Sequence, residues 1–334
     1  DTTIRSLDMC RLGAILLGEK GELQGGPPVK AMLVQNTNPA SVCPDQNKVL
    51  AGFRRDDLFL VVHEQFMTET AEYADIVLPA TMFLEHHDMY TGGGHVYFSV
   101  TKPVIEAPGE CRTNHEVLCA LAERLGIDHP GFKMSAWEII DETCKKSGLP
   151  DAETLWENHW HDCSLSEDEM HFKNGFGHPD GKFRFKPDWK DIGVDFEGLP
   201  ELPGYCTNID LASDKHPFRM VAAPARNYLN SSFNETPTSK KREGRPTIKL
   251  HPDDLAAMGV EDGDVVSVGN DLGEIELHAV TFEGLQRGVV VVESIWPNKA
   301  HINGQGVNVL ISADPGPPRG GGVFHDTAVW VRAA

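Results

Sequence analysis

Three short apolar runs punctuate the first 80 residues, each closed by polar or turn-forming positions. Val29 to Val34 lies between Pro28 and the polar stretch Gln35-Asn36-Thr37-Asn38-Pro39; Leu58 to Val62 and Asp75 to Pro79 follow. Their lengths and boundaries predict buried strands that open into loops. Between the second and third, Met67 to Ala74 predicts a short helix with Thr68 as its N-cap. Upstream, Ile4, Leu7, Leu12, Ile15 and Leu16 form a rough helical stripe ended by Gly18. Thr113-x-x-Glu116 and Ser135-x-x-Glu138 are capping boxes, the first opening a helix that ends at Gly126. Strands separated by helices predict a parallel sheet with covered faces, so residues 1–150 read as an α/β domain.

From 151 to 212 the periodicity weakens. Asp180-Gly181, flanked by Phe176, Phe183 and Phe185, predicts a small two-stranded ribbon. The segment is expected to pack on the first domain, because Trp156 and Trp160 need a surface to bury against. From 213 the chain turns β-rich. Pro252 and Gly259 bracket one short helix. Val265 to Val268, a turn at Asn270 to Gly273, and Ile275, Leu277 and Ala279 alternating with Glu274, Glu276 and His278 predict a hairpin with one wet face. With strands at Phe218 to Ala222, Val289 to Val292 and Thr327 to Val331, residues 213–334 predict a small barrel.

Composition changes the picture mainly by exclusion. Thirty Lys and Arg against fifty Asp and Glu give a net charge of −20, which argues against a nucleic-acid or anionic-membrane partner. The seven cysteines are irregularly spaced and include no CxxC pair, so they read as buried thiols rather than cluster or zinc ligands. No apolar run approaches the ~20 residues of a membrane span, and no signal peptide is visible. The chain opens on Asp1, which we read as one portion of a longer protein.

Several polar loops follow predicted strands. Gln35 to Ser41 stands where ligands settle in open α/β sheets, though an ordinary βα turn has the same composition. His63-Glu64-Gln65 leads into the helix at Thr68, whose start suits a phosphate; Glu64 suits the N–H donors of a guanine. From the spacing alone, a capped helix with solvated charges is the better reading. Glu85-His86-His87-Asp88 is a poor chelator, since adjacent side chains diverge, and His95 with Gly92 to Gly94 reads as a flexible loop. Arg226 to Asn234 is dense in amides and hydroxyls suited to a polar ring system, and Asn308 to Phe324 is a Gly- and Pro-rich tail; either is also an ordinary loop. No Gly-x-Ser-x-Gly, Walker or GxGxxG signature occurs.

Taken together, Asn38-Pro39, Asp57 to Glu64, Thr68-Glu69-Thr70-Ala71-Glu72-Tyr73-Ala74-Asp75-Ile76-Val77-Leu78-Pro79-Ala80 with Glu85, and Ile105 to Glu110 resemble the molybdopterin oxidoreductases of the dimethyl-sulfoxide-reductase type. Gly177 to Phe185, Arg226 to Asn234, Leu250 to Val260, Asp262 to Val266, Gly288 to Val290 and Asn308 to Asp314 extend the likeness. The resemblance implies an α/β fold: a Rossmann-like parallel-sheet domain (1–150), a connecting segment with a small β-ribbon (151–212), and a double-psi β-barrel domain (213–334). These would be the third and fourth domains of such an enzyme, binding the guanine-nucleotide tail and the pterins of a bis(molybdopterin guanine dinucleotide) cofactor with molybdenum or tungsten.

By resemblance, Asn36, Asn38, Glu64, Thr68 and Thr70 would contact the guanosine diphosphate portion, and Asn230, Ser231, Ser232, Asn308 and His325 the pterin side. Arg226 is expected to face the first group across a groove. His325 stands where the family pattern leads one to expect lysine or tyrosine. No catalytic side chain or metal ligand is assigned here, and a 4Fe–4S cluster is expected only in a missing N-terminal part. The implied partners are the cofactor, the protein's own N-terminal domains and an electron-transfer subunit. The implied location is the cytoplasm, or the periplasm if the N-terminal part carries a signal. The portion alone would be inactive, its redox chemistry belonging to the cofactor. The alternative is a non-catalytic structural or binding module of an electron-transfer complex.

Overall fold

The computed structural model describes residues 4–186, 188–189, 199–202, 204, 210–317 and 321–334; parts of the connecting segment and of the Gly-rich tail lie outside these residues. The N-terminal stripe becomes α1 (Leu12–Leu17), ended by Gly18 in the left-handed conformation. The first two apolar runs become β1 (Ala31–Gln35) and, beyond α2 (Pro39–Val42) and α3 (Gln46–Phe53), β2 (Phe59–Glu64). After α4 (Glu69–Glu72) the third run is β3 (Ile76–Pro79). The three strands form a parallel sheet in the order β1-β2-β3. Leu60 and Val62 of the central strand are buried among Leu16, Val34, Val49 and Ala71. Coverage is less complete than expected: on the edge strand β3, Ile76 and Val77 remain 43% and 39% exposed.

Gly13 fixes how α1 meets α3. A Cβ there would sit 2.6 Å from Lys48 Cβ and 2.7 Å from Val49 N, so only glycine admits this helix contact.

The stretch around Gly92 to Gly94 lies in the loop that joins β4 (Asp88–Thr91) to β5 (Tyr97–Thr101). Two helices follow from their capping boxes, α5 (Asn114–Arg124) and α6 (Ala136–Lys146), with both reciprocal bonds formed in each. Beyond α7 (Ala152–Asn158), the two-residue β6 (His161–Asp162) returns to pair with β5. This antiparallel sheet therefore draws strands from both sides of residue 150. Its core holds Phe98, Val100, Ile140, Cys144 and Leu155, with Trp137 and Trp156 packed against it. Trp160 is 57% exposed and meets Tyr97 edge-on at 5.0 Å.

After α8 (Glu167–Met170), the ribbon expected around Asp180-Gly181 is a turn rather than a strand pair. Phe176 N–H donates to Gly181 C=O at 2.8 Å, and the rings of Phe172, Phe176, Phe183 and Phe185 pack in series instead of alternating across a ladder.

The C-terminal half runs β7 (Phe218–Ala223), α9 (Pro237–Glu243), β8 (Thr247–Leu250), α10 (Pro252–Met258), β9 (Val265–Gly269), β10 (Glu274–Thr281), β11 (Val289–Glu293) and β12 (His325–Ala333). Its six strands close a barrel in the order β10-β8-β11-β7-β12-β9. The β8–β10 and β7–β11 pairs are parallel and the others antiparallel. Closure leaves no free edge. The predicted alternation holds, with Ile275, Leu277 and Ala279 fully buried beside Ile248, Val266, Val268 and Val290. Each buried Val, Leu or Ile among them contributes about 1.5–3 kcal/mol by leaving water.

Candidate functional site

A cleft of about 880 Å³ opens between the α/β half and the barrel. One wall is built from the carboxyl ends of β1 and β2: Asn36 to Asn38, Glu64 to Phe66, Thr68 and Glu69. The opposite wall is the loop Ser231 to Thr236, with Pro297 beside it. The outer end is closed by Met82, Phe83, Glu85 to Asp88, Tyr90 and the starts of α5 and α6. The strands of a parallel sheet end on one side, so their loops converge there.

Glu64 ends β2 and is 9% exposed. Its carboxylate accepts from Gln65 N–H at 2.8 Å. Burial raises its pKa above the ordinary value, and the Gln65 bond works in the opposite direction. Asn36 adopts φ 53°, and its N–H donates to His63 C=O. His63 is itself pinned, its ring nitrogens 3.1 Å from Gln35 Nε2 and 3.0 Å from Arg112 C=O.

The helix start behaves differently from expectation. Thr68 does cap α4, accepting from Ala71 N–H, and Asn38 Oδ1 accepts from Thr70 N–H. These two N–H groups are consumed inside the protein and are not offered to a phosphate. Thr70 itself is fully buried.

Of the other expected residues, Ser231 and Ser232 line the cleft. Arg226, Asn230, Asn308 and His325 do not. Arg226 and Asn230 are exposed on the loop before it, Asn230 with φ 51°. His325 is exposed at the start of β12. Asn308 is 2% exposed and donates to Ser41 C=O at 2.7 Å, so it ties the barrel to the α/β half. Sequence reasoning gave no site role to Gln65, Phe66, Glu69 or His115 and set His86 aside as a poor chelator; Thr113 and Asn114 were visible only as a helix start. In the outer end of the cleft His86 Nδ1 lies 2.8 Å from Thr81 Oγ1, while the His87 ring lies tilted against Trp137 at 5.1 Å. The two imidazoles diverge.

Sequence comparison bears on this arrangement. The molybdopterin oxidoreductase family model matches residues 19–124, and that of the molydopterin dinucleotide binding domain matches residues 218–328. The chain belongs to the molybdopterin oxidoreductases of the dimethyl-sulfoxide-reductase type. Among its relatives is the probable oxidoreductase YoaE of Bacillus subtilis, 34% identical over 316 residues, covering 93% of this chain and 44% of the relative. The dimethyl sulfoxide/trimethylamine N-oxide reductase of Rhodobacter capsulatus is 28% identical, covering 87% of this chain and 39% of that protein. The solved structure of acetylene hydratase from Pelobacter acetylenicus, 19% identical, shares the fold with a TM-score of 0.78 over 98% of this chain and 46% of its own. The chain thus spans less than half the length of these two relatives and of that solved structure.

The donor set at the cleft fits part of the family's cofactor well. Glu64 is a carboxylate with no cationic partner among the described residues, suited to a ring that presents two N–H donors. Asn234 is 4% exposed, with its amide nitrogen on Ile295 C=O and its Oδ1 buried without a partner. Charge is the exception. Among the described residues, the cleft is lined by Glu64, Glu69, Glu85, Asp88 and Glu235 and by no Lys or Arg. A pyrophosphate would find no side-chain cation there.

Proposed function

We propose that this chain holds the guanine-nucleotide tail and pterin of a molybdenum or tungsten bis(molybdopterin guanine dinucleotide) cofactor, in an oxidoreductase completed by N-terminal domains. In this reading the first half is a Rossmann-like domain and the barrel is of the double-psi type. The observation that carries it is Glu64, a buried carboxylate without a cation, at the end of the central parallel strand and facing a cleft of nucleotide size. Glu64 would accept from the guanine ring, Asn36 and Thr68 would flank the nucleotide, and Ser231 and Ser232 would meet the pterin side. The bound cofactor would supply the redox chemistry; these residues would bind and orient it and exclude water. The expected partners are the N-terminal domains, with a 4Fe–4S cluster, and an electron-transfer subunit. The described cysteines, all free, fit the cytoplasm.

The reading is tested by calorimetric titration with GDP, GTP and ATP. GDP and GTP should bind and ATP should not. Glu64→Ala, which removes an acceptor worth about 1.5–3 kcal/mol to paired N–H donors, should weaken GDP by about tenfold or more. The cation-free lining favours a second reading, a cofactor-free module within an electron-transfer complex. Absence of guanine-selective binding would reject the first reading in favour of the second.

A further inference from the structure

The floor of the cleft is a buried polar cluster that joins the two halves of the molecule. Asn38 lies at its centre. Its Nδ2 donates to Ser41 Oγ and to Glu69 Oε2, both at 3.1 Å, and its Oδ1 accepts from Thr70 N–H at 3.2 Å and Thr70 Oγ1 at 2.8 Å. An amide has two N–H donors and two lone pairs, and here all four are taken. Thr70 Oγ1 also accepts from Ala40 N–H at 3.0 Å. The Asn38 amide therefore has no capacity left for a ligand, and the Thr70 hydroxyl lies fully buried within this cluster.

Glu69 carries the cluster across the boundary. Its Oε2 accepts from Asn38 and from Ser41 Oγ (2.9 Å), and its Oε1 accepts from the backbone N–H of Asn298 in the barrel at 2.9 Å. Asn298 Oδ1 in turn accepts from Gln46 Nε2 at 3.0 Å. The approach is tight, since a Cβ on Gly306 would lie 2.6 Å from Asn298 Oδ1. A carboxylate accepts on both oxygens at once, so a single side chain can serve donors from both halves; a neutral amide cannot.

We propose that Glu69 is a positioning residue, latching the barrel loop 297–308 onto α2 and α4 and so setting the spacing of the cleft walls, with Asn38 and Thr70 serving the latch rather than a ligand. This goes beyond the cofactor reading, and its test needs no ligand. The test inverts donor and acceptor. Glu69→Gln sets an amide nitrogen against Asn38 Nδ2, and Asn38→Asp sets a carboxylate against Glu69. In the double variant the amide nitrogen introduced at position 69 can donate to the carboxylate introduced at position 38, while the amide oxygen keeps the Asn298 N–H.

Hydrogen exchange read by mass spectrometry on the whole chain should show each single change speeding exchange by about tenfold across 38–46 and 297–311. The strands β2 and β10 should stay protected, and the double variant should restore protection. Glu69→Ala, which deletes both acceptors and introduces no charge, should open the same two segments, which keeps the test alive if a charged variant fails to fold. Unchanged exchange in the single variants, or loss spread evenly through the chain without restoration in the double, would overturn the proposal.

Discussion

His301 follows the one-turn helix Asn298–Ala300 and is 5% exposed, and neither ring nitrogen has a hydrogen-bond partner. Burial alone depresses its pKa from 6.5 to about 4. In the unfolded chain the imidazole takes up its proton near pH 6.5, whereas in the folded chain it resists down to about pH 4. Between those values the unfolded state binds more protons, so stability falls as the pH falls. At 1.36 kcal/mol per pH unit the whole effect is about 3.4 kcal/mol, of which about 2 kcal/mol is lost between pH 7 and pH 5. His301→Leu removes the titrating group and two unpartnered nitrogens together. Urea unfolding should show the variant at least as stable as the wild type at pH 7 and about 2 kcal/mol more stable at pH 5. Carboxylates titrate in both proteins, so the difference between them isolates His301. Parallel loss of stability in the two proteins from pH 7 to pH 5 would refute the reasoning.

Other substitutions probe packing and caps. Gly13→Ala forces a Cβ to within 2.6 Å of Lys48 Cβ and should cost about 1–3 kcal/mol by separating α1 from α3, read as a lower urea midpoint. Leu277→Ala, at a fully buried barrel position, should cost about 2–5 kcal/mol in the same assay. Thr113→Ala removes the hydroxyl that accepts from Glu116 N–H and should cost about 1 kcal/mol, with Thr113→Ser largely sparing it.

Local signals carried far along this chain. The capping boxes at Thr113 and Ser135 specify helix starts through bonds that close within three residues, so they read directly from sequence. Gly18 and Gly259 end helices for a similarly local reason, a left-handed backbone that carries no Cβ penalty at glycine. Strand pairing is less local. The two residues of β6 are too short to announce themselves and become a strand only because β5 offers them an edge. The aromatics around Asp180-Gly181 looked like ribbon sides and instead pack against one another, one pair stacked and two edge-on.

The same division runs through the site. Hydrophobic patterning determined that β1 and β2 exist and that polar loops leave their carboxyl ends; whether Asn36 and Glu64 on those loops line a cleft or sit in ordinary turns stayed open at that level. It also determined a β-rich second half, since alternation with period two buries one face of each strand. What only the tertiary structure decided is which loops meet. Arg226 and His325 carry suitable chemistry, but the path of the 226–236 loop and the start of β12 leave them outside the cleft. Glu69 reads in sequence as a solvated charge at a helix start, yet its Oε1 is taken by a backbone N–H 229 positions further on. A hydrogen bond extends about 3 Å, so its formation depends on how two domains dock, and no local pattern along the chain encodes that.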